Sequence, residues 1–431
     1  MEEQLALELL EFINESVTAY HGAYAMKSIL DEEGFVEIKE NKKWNLTKGG
    51  KYYVMKNQSA IVAFEIGEGK LEEDGFRLIG AHTDSPTFKI KPKAEIEVES
   101  TYLKLNTEVY GGPILSTWFD RPLSLAGRVS LKGKSPLKPE NRLVNIDRPL
   151  LIIPNMAIHM NRGVNDGYAF NKQKDTLPLI GFINEKFEKD SYLLTLISKE
   201  LGVPKEEIMD FDLFLYEYEK GCIFGLENEF ISAGRLDDLW MVFTGVKALV
   251  DSKKNKATKV MVAIDNEEIG SLTAQGAQST FLKTLLERIA LGLGKNKEEF
   301  FRTLSNSVMI SADLAHALHP NQVEKHDPSN HPVLGGGPVI KMAASGSYST
   351  DSNSSAIFQA ICLEEKVPYQ KFVNRSDVKG GTTIGPMSAA DLGIPVIDMG
   401  APVLGMHSVR ELTAVKDNAY TIKAFTKFFN L

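Results

Sequence analysis

Cysteine is scarce in this chain: Cys222 and Cys362 are the two among 431 residues. Two are too few for a disulfide framework or a thiolate metal site, so a reducing cytoplasm is the expected setting. Any bound metal would have to be held by His, Asp and Glu. No apolar run approaches the roughly 18 residues of a membrane span. The opening MEEQLALELLEF is acidic where a secretory leader would be basic. A block of like charge is missing too. Lys+Arg 49 against Asp+Glu 57 give a net charge of −8 that is spread along the chain. Nucleic acid and anionic lipid both need a basic face, so neither a nucleic-acid nor a membrane partner is expected. Internal repeats, low-complexity tracts and long linkers are absent as well, and the chain is expected to fold throughout.

What is present has the composition of a globular protein, 43% hydrophobic and 25% charged. At roughly 150 residues per domain the length suggests two or three domains. Leu5, Leu9, Phe12 and Ile13 fall on one face of a helix. Strand-like runs follow at Tyr52–Met55, Ser59–Phe64 and Phe76–Gly80. Between about Lys93 and Glu219 the pattern is mostly period-two, as in Leu103/Leu105/Thr107/Val109 and Phe211/Leu213/Leu215. Beyond Phe230 strand and helix alternate: Trp240–Val250 and Phe281–Leu291 read as helices, Val260–Ile264, Val308–Ile310 and Val396–Met399 as strands. A closing helix carries Val415, Ala419, Ile422, Phe425 and Phe429 on one stripe. The expected fold is therefore α/β, a mixed and mainly parallel sheet flanked by helices. It would be formed by residues 1–92 and 223–431 and interrupted by a β-rich insertion at 93–222.

Several acidic and His clusters sit just after the apolar runs, where open α/β sheets bind ligands. They are His82-Thr83-Asp84 after Leu78-Ile79-Gly80, Asp265-Asn266-Glu267-Glu268 after Val260–Ile264, and Asp313 after Val308–Ala312. His407 follows Val396–Met399 at a short distance, and Asp237-Asp238 precedes a helix. Imidazole is a good zinc ligand, and a nearby carboxylate such as Asp84 can hold its other ring nitrogen. The same pattern also suits a solvated strand end with a satisfied His. Adjacent Glu267 and Glu268 repel unless a cation or proton absorbs the charge. One can ligate a metal while the other acts as general base toward water. A solvated acidic turn is the alternative. Asp237, Asp238, Asp313 and His407 would complete an oxygen-rich set able to hold two cations, one carboxylate bridging them.

These segments resemble the aspartyl aminopeptidase family, dinuclear zinc exopeptidases that form tetrahedral dodecamers. The resemblance rests on Ala81-His82-Thr83-Asp84-Ser85-Pro86, Gly234-Arg235-Leu236-Asp237-Asp238-Leu239, Asp265–Ser271, Ala312-Asp313-Leu314-Ala315-His316-Ala317 and Gly405-Met406-His407-Ser408-Val409-Arg410-Glu411. Framework segments such as Trp118-Phe119-Asp120-Arg121, Gly337-Pro338-Val339-Ile340-Lys341 and Gly380–Pro386 extend it over essentially the whole chain. It implies two Zn(2+) per subunit, with Asp237 bridging, His82 and Asp313 on one ion, and Glu268 and His407 on the other. Cobalt and manganese share this ligand chemistry. It also implies Glu267 as general base and Asp84 as the partner of His82. Family members often carry Asn where Asp238 stands.

The resemblance further implies that Lys341 and Tyr348 receive an acidic side chain of the substrate, that His316 neighbours the reacting carbonyl, and that His159 reaches the site of a paired subunit. The expected activity is removal of single N-terminal residues from peptides, Asp or Glu preferred. Rival readings are an aminopeptidase of neutral preference or an amide deacylase on the same scaffold, and a non-catalytic assembly or cargo-binding protein. The inserted region is expected to pair two chains, and the pairs to close into a twelve-subunit shell.

Overall fold

The computed structural model describes residues 2–183 and 191–431. The chain divides into two compact units. The first comprises Met1–Asp84, Gly221–Met406 and Glu411–Leu431; the second comprises Ser85–Lys220 and the short segment His407–Arg410.

The first unit is built on a nine-stranded sheet. Its strands run in the order Val36–Glu37, Lys51–Lys56, Ala60–Glu65, Thr258–Ile264, Phe76–His82, Val308–Ala312, Val396–Gly400, Val339–Lys341 and Gln370–Phe372. The pairings along the centre, from Thr258–Ile264 through Phe76–His82 and Val308–Ala312 to Val396–Gly400, are all parallel. Parallel strands are covered on both faces, which is why these runs read as almost continuously apolar. The alternation of side chains then serves two cores. From Thr258–Ile264, Met261 and Ala263 enter one core, shared with the helices Glu2–Glu15, Ala19–Glu32, Leu236–Asp251 and Val415–Phe429. Val260, Val262 and Ile264 enter the other, under the helices Phe281–Gly292 and Lys297–Ser305. The expected mainly parallel sheet flanked by helices is thus the observed one.

The second unit holds a six-stranded antiparallel sheet ordered Lys138–Asn145, Leu123–Ser135, Ile208–Glu217, Thr87–Val98, Tyr102–Tyr110 and Leu179–Phe182. Leu103, Leu105 and Thr107 are buried in alternation with half-buried neighbours, the period-two pattern expected of half-covered strands. The unit starts at Ser85 rather than at residue 93, because the strand Thr87–Val98 pairs into this sheet. Helix Tyr192–Leu201 places Leu193 and Ile197 in the unit's core.

Candidate metal centre and active site

The site in the first unit follows from strand register. Ile264 pairs with His82, and Ser311 with Gly80, so three neighbouring parallel strands end at one level. His82 closes its strand, Asp265 follows the second and Asp313 the third. The helix Leu236–Asp251 begins at the same place, with Asp237 and Asp238 in its first turn, where the helix dipole favours negative charge. Arg235 enters that helix with φ 59, and the backbone of Asp237 and Asp238 departs from helical values. Asp237 N–H donates to Glu411 Oε2 at 2.9 Å.

One ligand atom each from His82, Asp237, Asp238 and Asp313 lies within 4.8 Å of the others, and all four residues are buried. His82, Glu267 and Glu268 form a second such group. His82 Nε2 is 3.5 Å from Asp237 Oδ1. Its other ring nitrogen, Nδ1, lies 3.0 Å from the Asp84 carbonyl and 3.4 Å from Asp84 Oδ1. Asp84 does more than hold the ring. Its carboxylate accepts the backbone N–H groups of Glu267 (3.1 Å) and Glu268 (3.2 Å), so one residue, through its carbonyl and its carboxylate, orients the imidazole and the paired glutamates together. The turn carrying those glutamates starts at Asn266, φ 65, a conformation Asn tolerates better than most residues. Asn266 Oδ1 is fixed by Thr273 Oγ1 at 2.9 Å and Gln275 Nε2 at 2.8 Å.

So much buried carboxylate requires positive charge. Burial pushes the carboxyls of Asp238, Asp313 and Asp265 up, Asp265 to about 7, and neighbouring acids push in the same direction. Burial likewise raises Glu267 to about 7, with Asp313, Asp84 and Asp237 adding to it against the His82 charge. Desolvation opposes a charged ring at His82, yet Asp238, Asp237 and Asp84 outweigh it and hold its pKa well above the usual range. Asp238 Oδ2 accepts the His82 N–H at 3.1 Å, whereas its buried Oδ1 has no hydrogen-bond partner among the described residues. An imidazole and several carboxylates with a buried acceptor left over suit divalent cations of the zinc type. The residues fit a metal centre.

Lys341 is 2% exposed. Its Nζ lies 3.6 Å from Asp313 Oδ2, donates to the Leu314 carbonyl at 3.1 Å and stands 5.2 Å from the centre of the Tyr348 ring. His316 is exposed, its ring edge-on to Phe372 at 5.9 Å. In the second unit His159 lies exposed in the turn from Ala157 to Met160. His407 is in the segment that clusters with that unit, and its Nδ1 is 3.0 Å from the Gly112 carbonyl.

Two further acids escaped the sequence reading as site residues. Glu411, buried, holds Asp237. Asp398, fully buried, accepts Thr383 Oγ1 and Ser349 N–H, both at 2.5 Å, and so anchors the segment carrying Tyr348. A lone carboxylate inside the apolar run Val396-Ile397-Asp398-Met399 was the available signal.

The family model described as aminopeptidase I zinc metalloprotease (M18) matches residues 12–429. A protein of Clostridium novyi (strain NT) named "Probable M18 family aminopeptidase 2" is 58% identical over 428 residues, covering 99% of each chain. Among solved structures, one described as "Cryo-EM structure of the Ape4 and Nbr1 complex" superposes with a TM-score of 0.95 at 39% identity, over 99% of this chain and 86% of that one. Another, "Structure of S. cerevesiae mApe1 dodecamer", gives 0.86 at 29% identity, over 99% and 96% of the two chains.

Proposed function

Since this chain belongs to the M18 family of zinc metalloproteases and is a metal-dependent aminopeptidase, we propose that it removes single N-terminal residues from peptides with a preference for Asp and Glu, using two zinc ions per subunit. The observation that carries the metal reading is the buried convergence of His82, Asp237, Asp238 and Asp313, with Glu267 and Glu268 grouped around the same imidazole. The resemblance assigns Asp237 as the bridge, His82 and Asp313 to one ion, and Glu268 and His407 to the other.

When bound, zinc supplies Lewis acidity toward a water molecule and the scissile carbonyl. Glu267 takes the proton from that water and returns it to the nitrogen of the leaving amine. Asp84 keeps His82 in one orientation and holds the backbone under Glu267, so the base is positioned by the residue that positions a ligand. His316 donates a hydrogen bond toward the developing oxyanion. Lys341, beside Tyr348, gives the reason for acidic preference: an acidic side chain entering a dry pocket without a cation would be costly.

Self-association belongs to the same proposal. A relative of 29% identity is described as a dodecamer, and the resemblance has the second unit pairing two chains, with His159 reaching the partner's site. Light scattering at micromolar concentration tests this, and a monomer there would overturn it. For the activity, metal analysis of the purified protein is paired with a panel of substrates differing in the first residue. Faster release of Leu than of Asp and Glu would exclude the acidic preference and leave a neutral aminopeptidase.

A further inference from the structure

Beyond the metal cluster, the first unit carries a cavity of about 320 Å³ with His316 in its lining. That size suits one or two amino-acid residues, near the lower end for small-ligand sites. Part of its wall is a two-stranded ribbon in which Ala315–His316 pairs with Pro402–Val403, a direct continuation of the chain from Asp313. Asn374, also in the wall, interacts with the Tyr348 side chain. The cavity is thus lined by residues that follow Asp313 closely in the chain, among them His316.

Its charge is lopsided. Arg375 is neutralised by Asp377, with Nε and Nη2 at 2.7 and 2.8 Å from the two carboxylate oxygens, and it also donates to the Glu324 carbonyl. Asp327 is the one acid among the described residues of the wall and keeps its charge, accepting the N–H groups of Ser329 and Asn330 at 3.0 and 2.8 Å, against the three cations Lys325, Arg375 and Lys379. Lys325 and Lys379 remain, exposed and without an ion pair among the described residues. The imidazoles add donors. His326 Nε2 accepts from His319 N–H at 3.0 Å, and His319 Nδ1 accepts from Asn321 N–H at 3.2 Å. Each acceptor nitrogen fixes the proton on the other one, so both rings are hydrogen-bond donors at their free positions.

We infer that this cavity binds a carboxylate of the leaving peptide, on the far side of the scissile bond, with Lys325 and Lys379 as its cations. The inference rests on the aminopeptidase reading and adds a second determinant of substrate choice to it. The carboxylate has two possible sources, the C-terminus of a dipeptide or tripeptide and an acidic side chain. Because both lysines are exposed, their attraction is screened by salt, and the preference shrinks as ionic strength rises.

The test uses the metal-loaded protein and three substrates sharing one N-terminal residue: Xaa-Ala with a free C-terminus, Xaa-Ala-amide and Xaa-Glu-amide. KM for the free acid is expected to be about tenfold below that of Xaa-Ala-amide, the scale of one charge-assisted hydrogen bond. A low KM for Xaa-Glu-amide as well would extend the site to acidic side chains. The Lys325→Ala/Lys379→Ala variant is expected to bring the ratio close to one, and Lys325→Arg/Lys379→Arg to keep it. Equal KM for all three substrates in the parent protein overturns the inference, as does an unchanged preference for the carboxylate-bearing substrates in the alanine pair. Failure of the aminopeptidase reading is distinct: none of the three substrates would then be cleaved by the parent protein.

Discussion

Lys341 Nζ lies 3.6 Å from Asp313 Oδ2, with both side chains buried. Desolvation works against the Lys341 charge, but Asp313 and the other acids around it raise its pKa, so the ammonium is retained. The residue assigned to substrate recognition therefore also touches a residue assigned to the metal. Lys341→Met is expected to lower kcat/KM for N-terminal Asp and Glu by at least about tenfold relative to neutral residues, the scale of a hydrogen bond to a charged group. A residue panel measures it. An unchanged acidic-to-neutral ratio would remove Lys341 from recognition and leave it as the partner of Asp313.

Glu267→Gln keeps the shape of the side chain and removes its basicity. Its kcat is expected to fall by about 10²- to 10⁴-fold, with bound metal unchanged. The two readings, turnover and metal content, separate a lost base from a damaged site. Full turnover with metal in place would show that another group accepts the proton.

Stripping the metal with a chelator is expected to abolish peptidase activity and lower the midpoint of thermal unfolding. Asp237 and Asp238 then face Asp313 with His82 as their countercharge, and Asp313 has Lys341 beside it as well. Binding to the folded form alone adds stability with metal concentration. Adding zinc back should restore both readings and titrate to two ions per chain. Saturation at one ion would contradict the dinuclear proposal.

His21, which is not among the site residues, makes stability depend on pH. Burial, and then the Arg235 charge, push its ring down to about 4, while Thr18 Oγ1 lies 2.8 Å from its Nδ1. An unfolded His titrates near 6.5. Between these values the unfolded chain binds a proton that the folded chain refuses. The contribution is therefore complete above pH 6.5 and is lost as the pH falls toward 4, by up to about 3 kcal/mol. His21→Gln should flatten the fall of the unfolding midpoint across that window, and parallel curves for the two proteins would rule this out.

Much of the fold was legible in the sequence because its signals are local. The run Val260–Ile264 is apolar at every position since both faces of that strand are covered, and Leu103/Leu105/Thr107 alternate since one face of theirs is. The helices Ala19–Glu32 and Ser352–Glu365 escaped notice. Ser352–Glu365 mixes Ser and Asn with its apolar residues and shows no clean stripe. The clusters His82-Thr83-Asp84 and Glu267-Glu268 stood out because charged groups closing apolar strands need partners. Which partners they find is invisible locally.

By itself the sequence determined the chemistry available: with so little cysteine, an acidic and imidazole donor set, and apolar periodicities that make a sheet covered by helices. Tertiary structure alone decided the neighbours. The register that pairs Ile264 with His82 and Ser311 with Gly80 brings Asp313 beside His82, across more than two hundred residues of chain. It made Asp84 the common support of an imidazole and two glutamates, and it set Lys341 against Asp313. The physical reason is range. Periodicity and propensity act over a few residues, whereas the energy of a buried charge depends on what lies within a few ångströms in space, which strand order fixes and no local pattern records.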